Sequence, residues 1–425
     1  MTALISKLTK IESHELKDAL ISFLFIFMLM ASYQIMKPVR DALPSDWGDI
    51  ALPMQWTFTF IVSTIAVSIY NFLASKFSPK TLVPAVFIFF ATTFAGIYTA
   101  FKVGVSPTLL GKIFYVWSSV FSLFHISVFW SFLSQKYTKE ESKRLFGFIN
   151  IGASAGAIAG PLLIIQFASN LSVENILIIT AATLVLTLPL IKILNGSSNK
   201  SSESDINKVS LNSNPFSGFQ ELISHNKLKG IAAFIFFFTG ISAFLYYIQT
   251  GLLEDYTRTE RKELLGSVEL ITNTLTILIG IFATNRIAQK FGLSTSLGIV
   301  PLLVAVLIVG LSLHPAIILV LALQVVRRAG NYAITRPSRE ILYTAVSPEA
   351  RFKTKPIIDV AIYRGGDVFW IWLITLTGDH LFQLTLTQHL FFGGTVALIT
   401  GLIGVYLGKQ HEASEKEESS TSPTS

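Results

Sequence analysis

The chain has 425 residues, 51% of them apolar, 12% aromatic and 14% charged, with no cysteine and a mean hydropathy of +0.59. That composition is far too apolar for a soluble chain and marks a multi-spanning membrane protein; without thiols it excludes disulfides, thiolate metal sites and thiol nucleophiles. The seven histidines are scattered rather than set at ligand spacing, so neither a metal nor a cofactor is expected, and the formal charge of +7 lies mostly in short loops between apolar runs. This is the positive-inside pattern of a chain in a lipid bilayer, not a phosphate-backbone footprint, and no nucleic-acid partner is expected.

In chain order, the first apolar run, near Leu20 to Met36, ends in Lys37 and Pro38 rather than at a small-residue cleavage site, which predicts an uncleaved first span. Five more follow near 52–73, 81–101, 109–133, 145–168 and 173–194, and six near 229–250, 266–285, 293–312, 315–345, 356–377 and 381–408. The prediction is an all-α membrane protein of twelve transmembrane helices in two six-helix bundles, residues 1–194 and 229–409. Between them, residues 195–228 form a cytoplasmic linker, polar from Asn195 to Asn214 with a short amphipathic helix predicted near Pro215 to Leu228; residues 410–425 are predicted to be a disordered tail. With a cytoplasmic N-terminus, Lys76, Lys80, Lys136, Arg144 and Lys192 fall inside, whereas the outside cations Arg258, Arg261 and Lys262 are diluted by Glu254, Asp255, Glu260 and Glu263. Both termini are then cytoplasmic.

The two halves repeat. Asn71-Phe-Leu-Ala74-Ser-Lys76-Phe77 after span two matches Asn285-Arg-Ile-Ala288-Gln-Lys290-Phe291 after span eight at four of seven positions. Six spans plus six around a cytoplasmic linker resembles the parallel-repeat plan of the major facilitator superfamily. Gly147-x8-Gly156-x3-Gly160-Pro161 in span five resembles that superfamily's antiporter motif, with Ile164 and Ile165 on its final glycines. Independently, Gly152, Gly156 and Gly160 at i, i+4 and i+8 give a smooth face for close helix approach.

Charges inside the spans are expensive and need partners or a cavity. Lys37, Arg40 and Asp41 share one helical face at the end of span one. In span ten, Arg328, Tyr332, Arg336 and Arg339 fall within about 80° of arc at about 100° per residue, beside Pro337, which is expected to kink or break the helix. Span eleven carries Asp359, Tyr363, Arg364 and Asp367, and span eight carries Glu269 with no local partner. Two readings stand: the charges pair among themselves as gates, Arg339 with Glu340 and Arg364 with Asp367, or the surplus cations bind an anionic small molecule. Arginine suits the second, because its planar fork binds phosphate or carboxylate bidentately. Most Trp and Tyr residues are read as interface anchors, and His125 as a satisfied helix residue.

Ile35-Met36-Lys37-Pro38-Val39-Arg40-Asp41-Ala42-Leu43 resembles the Ile-Leu-Arg-Asp-x-Lys-Asp-x-Leu element of the ATP/ADP translocases (nucleotide transporters), with Pro38 in place of its first Asp. Lys143-Arg144-Leu-Phe-Gly-Phe and Tyr363-Arg364-Gly-Gly-Asp367 resemble the shorter bacterial members grouped with that family. The resemblance implies an inner-membrane antiporter exchanging ATP and ADP, or other phosphorylated anions; the sequence leaves the oligomeric state open, a monomer being compatible with it. A proton-coupled carrier of another organic anion or amphipathic compound, and a non-transporting scaffold or sensor, are the alternatives. No nucleophile, base and oxyanion arrangement and no phosphate-cradling loop is present, so an enzyme is not expected.

Overall fold

The structure is a computed structural model that describes residues 12–196 and 217–421, apart from 13, 283, 315, 348–349, 351–353, 356 and 381–382. In hydrocarbon every backbone amide must bond within its own segment, so the apolar runs fold as helices. The first six are α1 (Leu16–Asp41), α2 (Ala51–Lys76), α3 (Pro79–Lys102), α4 (Pro107–Lys136), α5 (Lys139–Phe167) and α6 (Val173–Gly196). A short α7 (Ser217–Ser224) lies within the predicted amphipathic stretch, and residues 197–216 of the linker lie outside the described residues. Then come α8 (Asn226–Leu252), α9 (Arg258–Phe282), α10 (Thr284–Leu311, interrupted at Gly292 with φ +79°), α11 (Ile317–Gly330), α12 (Arg336–Leu342), α13 (Tyr363–Thr375) and α14 (Leu386–Thr421).

Helix starts follow local chemistry. Pro79 and Pro107 open α3 and α4, where a missing N–H costs nothing. Thr138 and Glu141 form a reciprocal capping box at α5: the Thr138 amide donates to Glu141 at 2.8 Å and the Glu141 amide to the Thr138 hydroxyl at 3.3 Å. Thr257 and Glu260 repeat the box ahead of α9, with distances of 2.8 and 3.3 Å.

Among the described residues eleven helices are long and apolar enough to cross a membrane. The predicted span at 356–377 is helical too, but is built of a π-turn (Ile357–Ile362), α13 and a further π-turn (Leu376–His380). Another π-turn, Asn331–Thr335, joins α11 to α12. It accommodates Pro337, which cannot donate an intrahelical bond, by widening the preceding turn instead of breaking the rod. Pro38 likewise sits inside α1 without ending it. Residues 410–421, expected as disordered tail, continue α14. Glu412 there accepts hydrogen bonds from the Ser294 amide at 2.9 Å and hydroxyl at 3.4 Å, tying that part of the helix to α10.

The chain divides into two compact units. Unit 1 comprises Met1–Leu43, Ile61–Val209 and Tyr256–Leu270; unit 2 comprises Pro44–Phe60, Ser210–Asp255 and Ile271–Ser425.

In unit 1, α1 packs against α4, α5 and α6. The glycine stripe of α5 lies on the α1 backbone: a Cβ at Gly152 would stand 2.6 Å from the Phe23 carbonyl, and one at Gly160 2.6 Å from Gln34 Cβ and 2.8 Å from the Ala31 carbonyl. Backbone cannot yield as a flexible side chain can, so Gly156→Leu is expected to overpack this contact by about 1–3 kcal/mol or more and lower the unfolding temperature in detergent. Just ahead of α1, Glu15 accepts from Arg144 at 2.5 Å and from the Glu12 amide at 3.0 Å. Burial acts to raise its carboxyl, but those two hydrogen bonds and the Arg144 charge together outweigh it and hold the group below the usual glutamate range. A depressed folded-state pKa stabilises above the unfolded-chain value, about 4.3, and that contribution disappears as pH falls through the folded one. Melting curves taken from neutral to acid pH should therefore flatten in Glu15→Gln.

In unit 2, α10 packs against α14, and α8 against α13 and α14. Trp370, 4% exposed, lies over Gly240 and donates to the Phe236 carbonyl at 2.8 Å. Tyr115, equally buried in unit 1, is another of the expected interface aromatics that is a packing residue. The π-systems of both are spent on protein neighbours.

Candidate functional site

The sequence-derived residues separate into two groups, one in each unit. In unit 1 the last turns of α1 carry Lys37, Arg40 and Asp41, and Pro38 leaves the helix intact, so all three keep the register read from the sequence. The fourth turn of α9 brings Glu269, 232 positions away along the chain, against Lys37: Nζ lies 2.9 Å from each carboxylate oxygen. Glu269 is buried and Lys37 half-buried, with side-chain exposures of 4% and 15%. Glu269 is therefore matched across the unit by a cation of α1.

Arg40 is held on three sides. Its Nε and Nη2 donate to Asp41 Oδ1 at 2.8 and 2.7 Å, and its Nη1 donates to Ser119 Oγ at 3.3 Å. Its guanidinium lies over the Tyr115 ring at 5.6 Å from the centroid, a cation–π distance. Ser119 in turn donates to the Tyr115 carbonyl at 2.7 Å, which turns a lone pair toward the arginine. Tyr115, expected as an interface aromatic, and Ser119, which no charge or motif marks, stand one turn apart on α4 and belong to this cluster; their i, i+4 spacing inside an apolar span is the trace they leave. Two cations and two carboxylates make the group formally neutral, where the first-span segment alone is cationic.

Two further cations at the start of α9 find helix ends. Lys262, 8% exposed, donates to the Ala168 carbonyl and to the Leu171 carbonyl at 3.0 Å, just past the end of α5; Arg261, 4% exposed, donates to the Ala42 carbonyl at 3.4 Å, at the end of α1. Carbonyls there lack intrahelical donors and carry the negative end of the helix dipole.

In unit 2 the span-ten stripe is re-phased. A π-turn advances fewer degrees per residue than an α-turn, so the 100° arithmetic fails across Asn331–Thr335. Arg336 is exposed, Tyr332 is 42% exposed, and Arg328 and Arg339 are half-buried. Arg339 pairs with Asp359 at 3.7 Å rather than with its neighbour Glu340, which Lys355 takes at 2.5 Å. Tyr363, Arg364 and Asp367 are half-buried at the start of α13, and Arg364 and Asp367 feel each other's charge. The arginine that turns inward is Arg327: it is 7% exposed, and its Nη2 donates to Gln324 Oε1 at 2.8 Å. His125, 1% exposed, has Nδ1 at 3.3 Å from the Phe121 carbonyl and its ring against Tyr33 and Phe121, as a packed helix residue would, but it is only half satisfied: Nε2 is buried and makes no hydrogen bond.

The sequence pattern of the Major Facilitator Superfamily matches residues 19–351, most of the chain. The chain belongs to that superfamily. It is similar to ADP,ATP carrier protein 1 of Chlamydia pneumoniae, 24% identical over 446 residues and covering 85% of this chain and 84% of the carrier. This bears out the resemblance read from the first span. Among solved structures, the nucleoside transporter NupG is 15% identical over 95% of this chain and 99% of its own, with a TM-score of 0.59. A POT family transporter in complex with 5-aminolevulinic acid is 13% identical over 93% and 96%, with a TM-score of 0.63. These likenesses show the major facilitator fold. The protein is a multi-pass membrane transporter for a small molecule, not an enzyme.

Proposed function

We propose that the protein is a bacterial inner-membrane antiporter that exchanges nucleotides of the ATP/ADP type, or other phosphorylated anions, by alternating access of two six-helix bundles, residues 1–194 and 229–409, with both termini cytoplasmic. The observation that carries this reading is the surplus of cations in spans ten and eleven: residues 315–345 and 356–377 hold five arginines, four of them buried or half-buried and Arg336 exposed, against three carboxylates. Two of those carboxylates, Glu340 and Asp359, are already engaged by Lys355 and Arg339. An anionic substrate supplies the missing charge, and similarity to an ADP,ATP carrier favours a nucleotide as that anion.

In this reading Arg328 and Arg336 neutralise phosphate oxygens, with Tyr332 and Tyr363 as hydroxyl donors and Asp359, Arg364 and Asp367 as the counter-charges that hold the empty state. Lys37, Arg40, Asp41 and Glu269 do the same in unit 1: the Lys37–Glu269 pair opens when a phosphate competes for the ammonium. Proteoliposomes loaded with ADP should take up labelled ATP, and empty ones should not. Failure across a nucleotide panel overturns the reading. Uptake that follows a proton gradient and ignores internal nucleotide transfers the protein to the proton-coupled class.

A further inference from the structure

Arg327 is not accounted for by the pairs above. It is 7% exposed in unit 2, and no carboxylate stands within ion-pair distance of it among the described residues; the charge of Asp367 acts on it only at longer range. Its one hydrogen-bond partner is a neutral amide. Gln324, one turn earlier on α11 and 3% exposed, accepts from Arg327 Nη2 at 2.8 Å and donates through Nε2 to Gln249 Oε1 of α8 at 3.1 Å. Gln249 is 3% exposed. The amide chain has a direction: it delivers an oxygen to the guanidinium and stops there. Arg327 Nε is buried and makes no hydrogen bond in the structure.

A guanidinium kept in an apolar bundle with neutral support alone is a standing cost, because amide hydrogen bonds return much less than burial of the charge takes away. Ions retained inside membrane spans on those terms are ligand sites by default. The two unused features of Arg327, its charge and its Nε–H, are what an oxyanion completes. Half-buried Arg328 and the more exposed Tyr332 lie within its electrostatic reach and mark the less covered approach.

We propose that Arg327, oriented by the Gln249–Gln324 amide pair, is an oxyanion-binding residue of unit 2 that anchors a phosphate or carboxylate group of the transported anion. The choice of a phosphate ligand rests on the reading of the protein as a nucleotide exchanger; the anion site itself does not. Purified full-length protein in detergent is titrated with ATP, ADP, inorganic pyrophosphate and citrate, as parent, Arg327→Gln and Arg327→Lys. Arg327→Gln is expected to weaken binding of the anion that the parent prefers at least ten-fold, while its ligand-free unfolding temperature stays equal or rises, since an uncompensated charge has been removed. A purely structural arginine would show the reverse, lost ligand-free stability with affinity kept, and that result overturns the proposal. If Arg327→Gln does not give monodisperse protein, Arg327→Lys decides: loss of the fork should still weaken binding several-fold, and an unchanged affinity overturns the proposal. Citrate preferred over both nucleotides, with the Arg327 effect intact, refutes nucleotide exchange and leaves this site standing. Nucleotide binding indifferent to Arg327 does the opposite. A parent that binds none of the four anions refutes both.

Discussion

Glu269→Ala is expected to destabilise the protein more than the double substitution Lys37→Met/Glu269→Met, although the double removes more polar groups. The single variant strands the Lys37 ammonium, 15% exposed, in a site that both glutamate oxygens had satisfied at 2.9 Å. Removing one partner of a buried pair costs roughly 3–5 kcal/mol, whereas replacing both by apolar side chains of similar volume is often neutral. The partial exposure of Lys37 lets its charge reach some water and places the expected loss toward the lower end of that range. Thermal unfolding in detergent measures this half of the prediction; a double variant no more stable than Glu269→Ala would sink it. Transport gives the other half. If the pair is the phosphate-responsive element of unit 1, the stable double variant carries nothing, because methionine cannot exchange one anion for another. A double variant that is stable and still exchanges nucleotide would reduce Lys37 and Glu269 to packing.

The contrast between those two outcomes follows what the sequence could and could not convey. The spans were legible because hydrocarbon forces helices on any long apolar run, and the Gly152, Gly156 and Gly160 stripe was legible because close approach demands small residues at a helical repeat. Lys37, Arg40 and Asp41 were legible as a set because they lie within four positions of one another. The partner of Lys37 was not, since contacts 232 positions apart leave no local periodicity. Which arginine of the Arg327–Arg328 pair faces inward was equally hidden: a membrane helix is apolar both toward its neighbours and toward lipid, so the usual contrast between faces is missing. The π-turn at Asn331–Thr335 then shifts the phase of everything after it, and the stripe built on ideal geometry loses Arg336 to the exposed side. Gln249 and Gln324 were overlooked because neutral amides carry no charge to flag them, yet they settle where Arg327 points.

Lys262→Met is expected to loosen the carboxyl end of α5 and to speed the labelling of a cysteine placed at position 168. Lysine reaches two carbonyls there, Ala168 and Leu171, which have no helical donors of their own, and it does so while 8% exposed. Methionine keeps the apolar stem and removes only the donors, leaving two backbone acceptors unmet at about 1–3 kcal/mol for the buried one. Gly266, one turn further along α9, would bring a Cβ within 3.0 Å of Ile164, so this part of the helix is fitted closely to α5 and the lysine secures its end. Arg261 does the same for α1 through the Ala42 carbonyl at 3.4 Å. If the proposed alternating access parts these helix ends in each cycle, caps that hold them should slow opening. The chain contains no cysteine, which makes the measurement direct. Ala168→Cys, at a position 2% exposed, should react slowly with a maleimide in the otherwise unaltered protein and several-fold faster when Lys262→Met is added. Arg261→Met should do the same for Ala42→Cys and leave Ala168→Cys largely unchanged, because each cation caps a different helix. Equal labelling rates with and without the lysine would show that α5 keeps its end closed by packing alone.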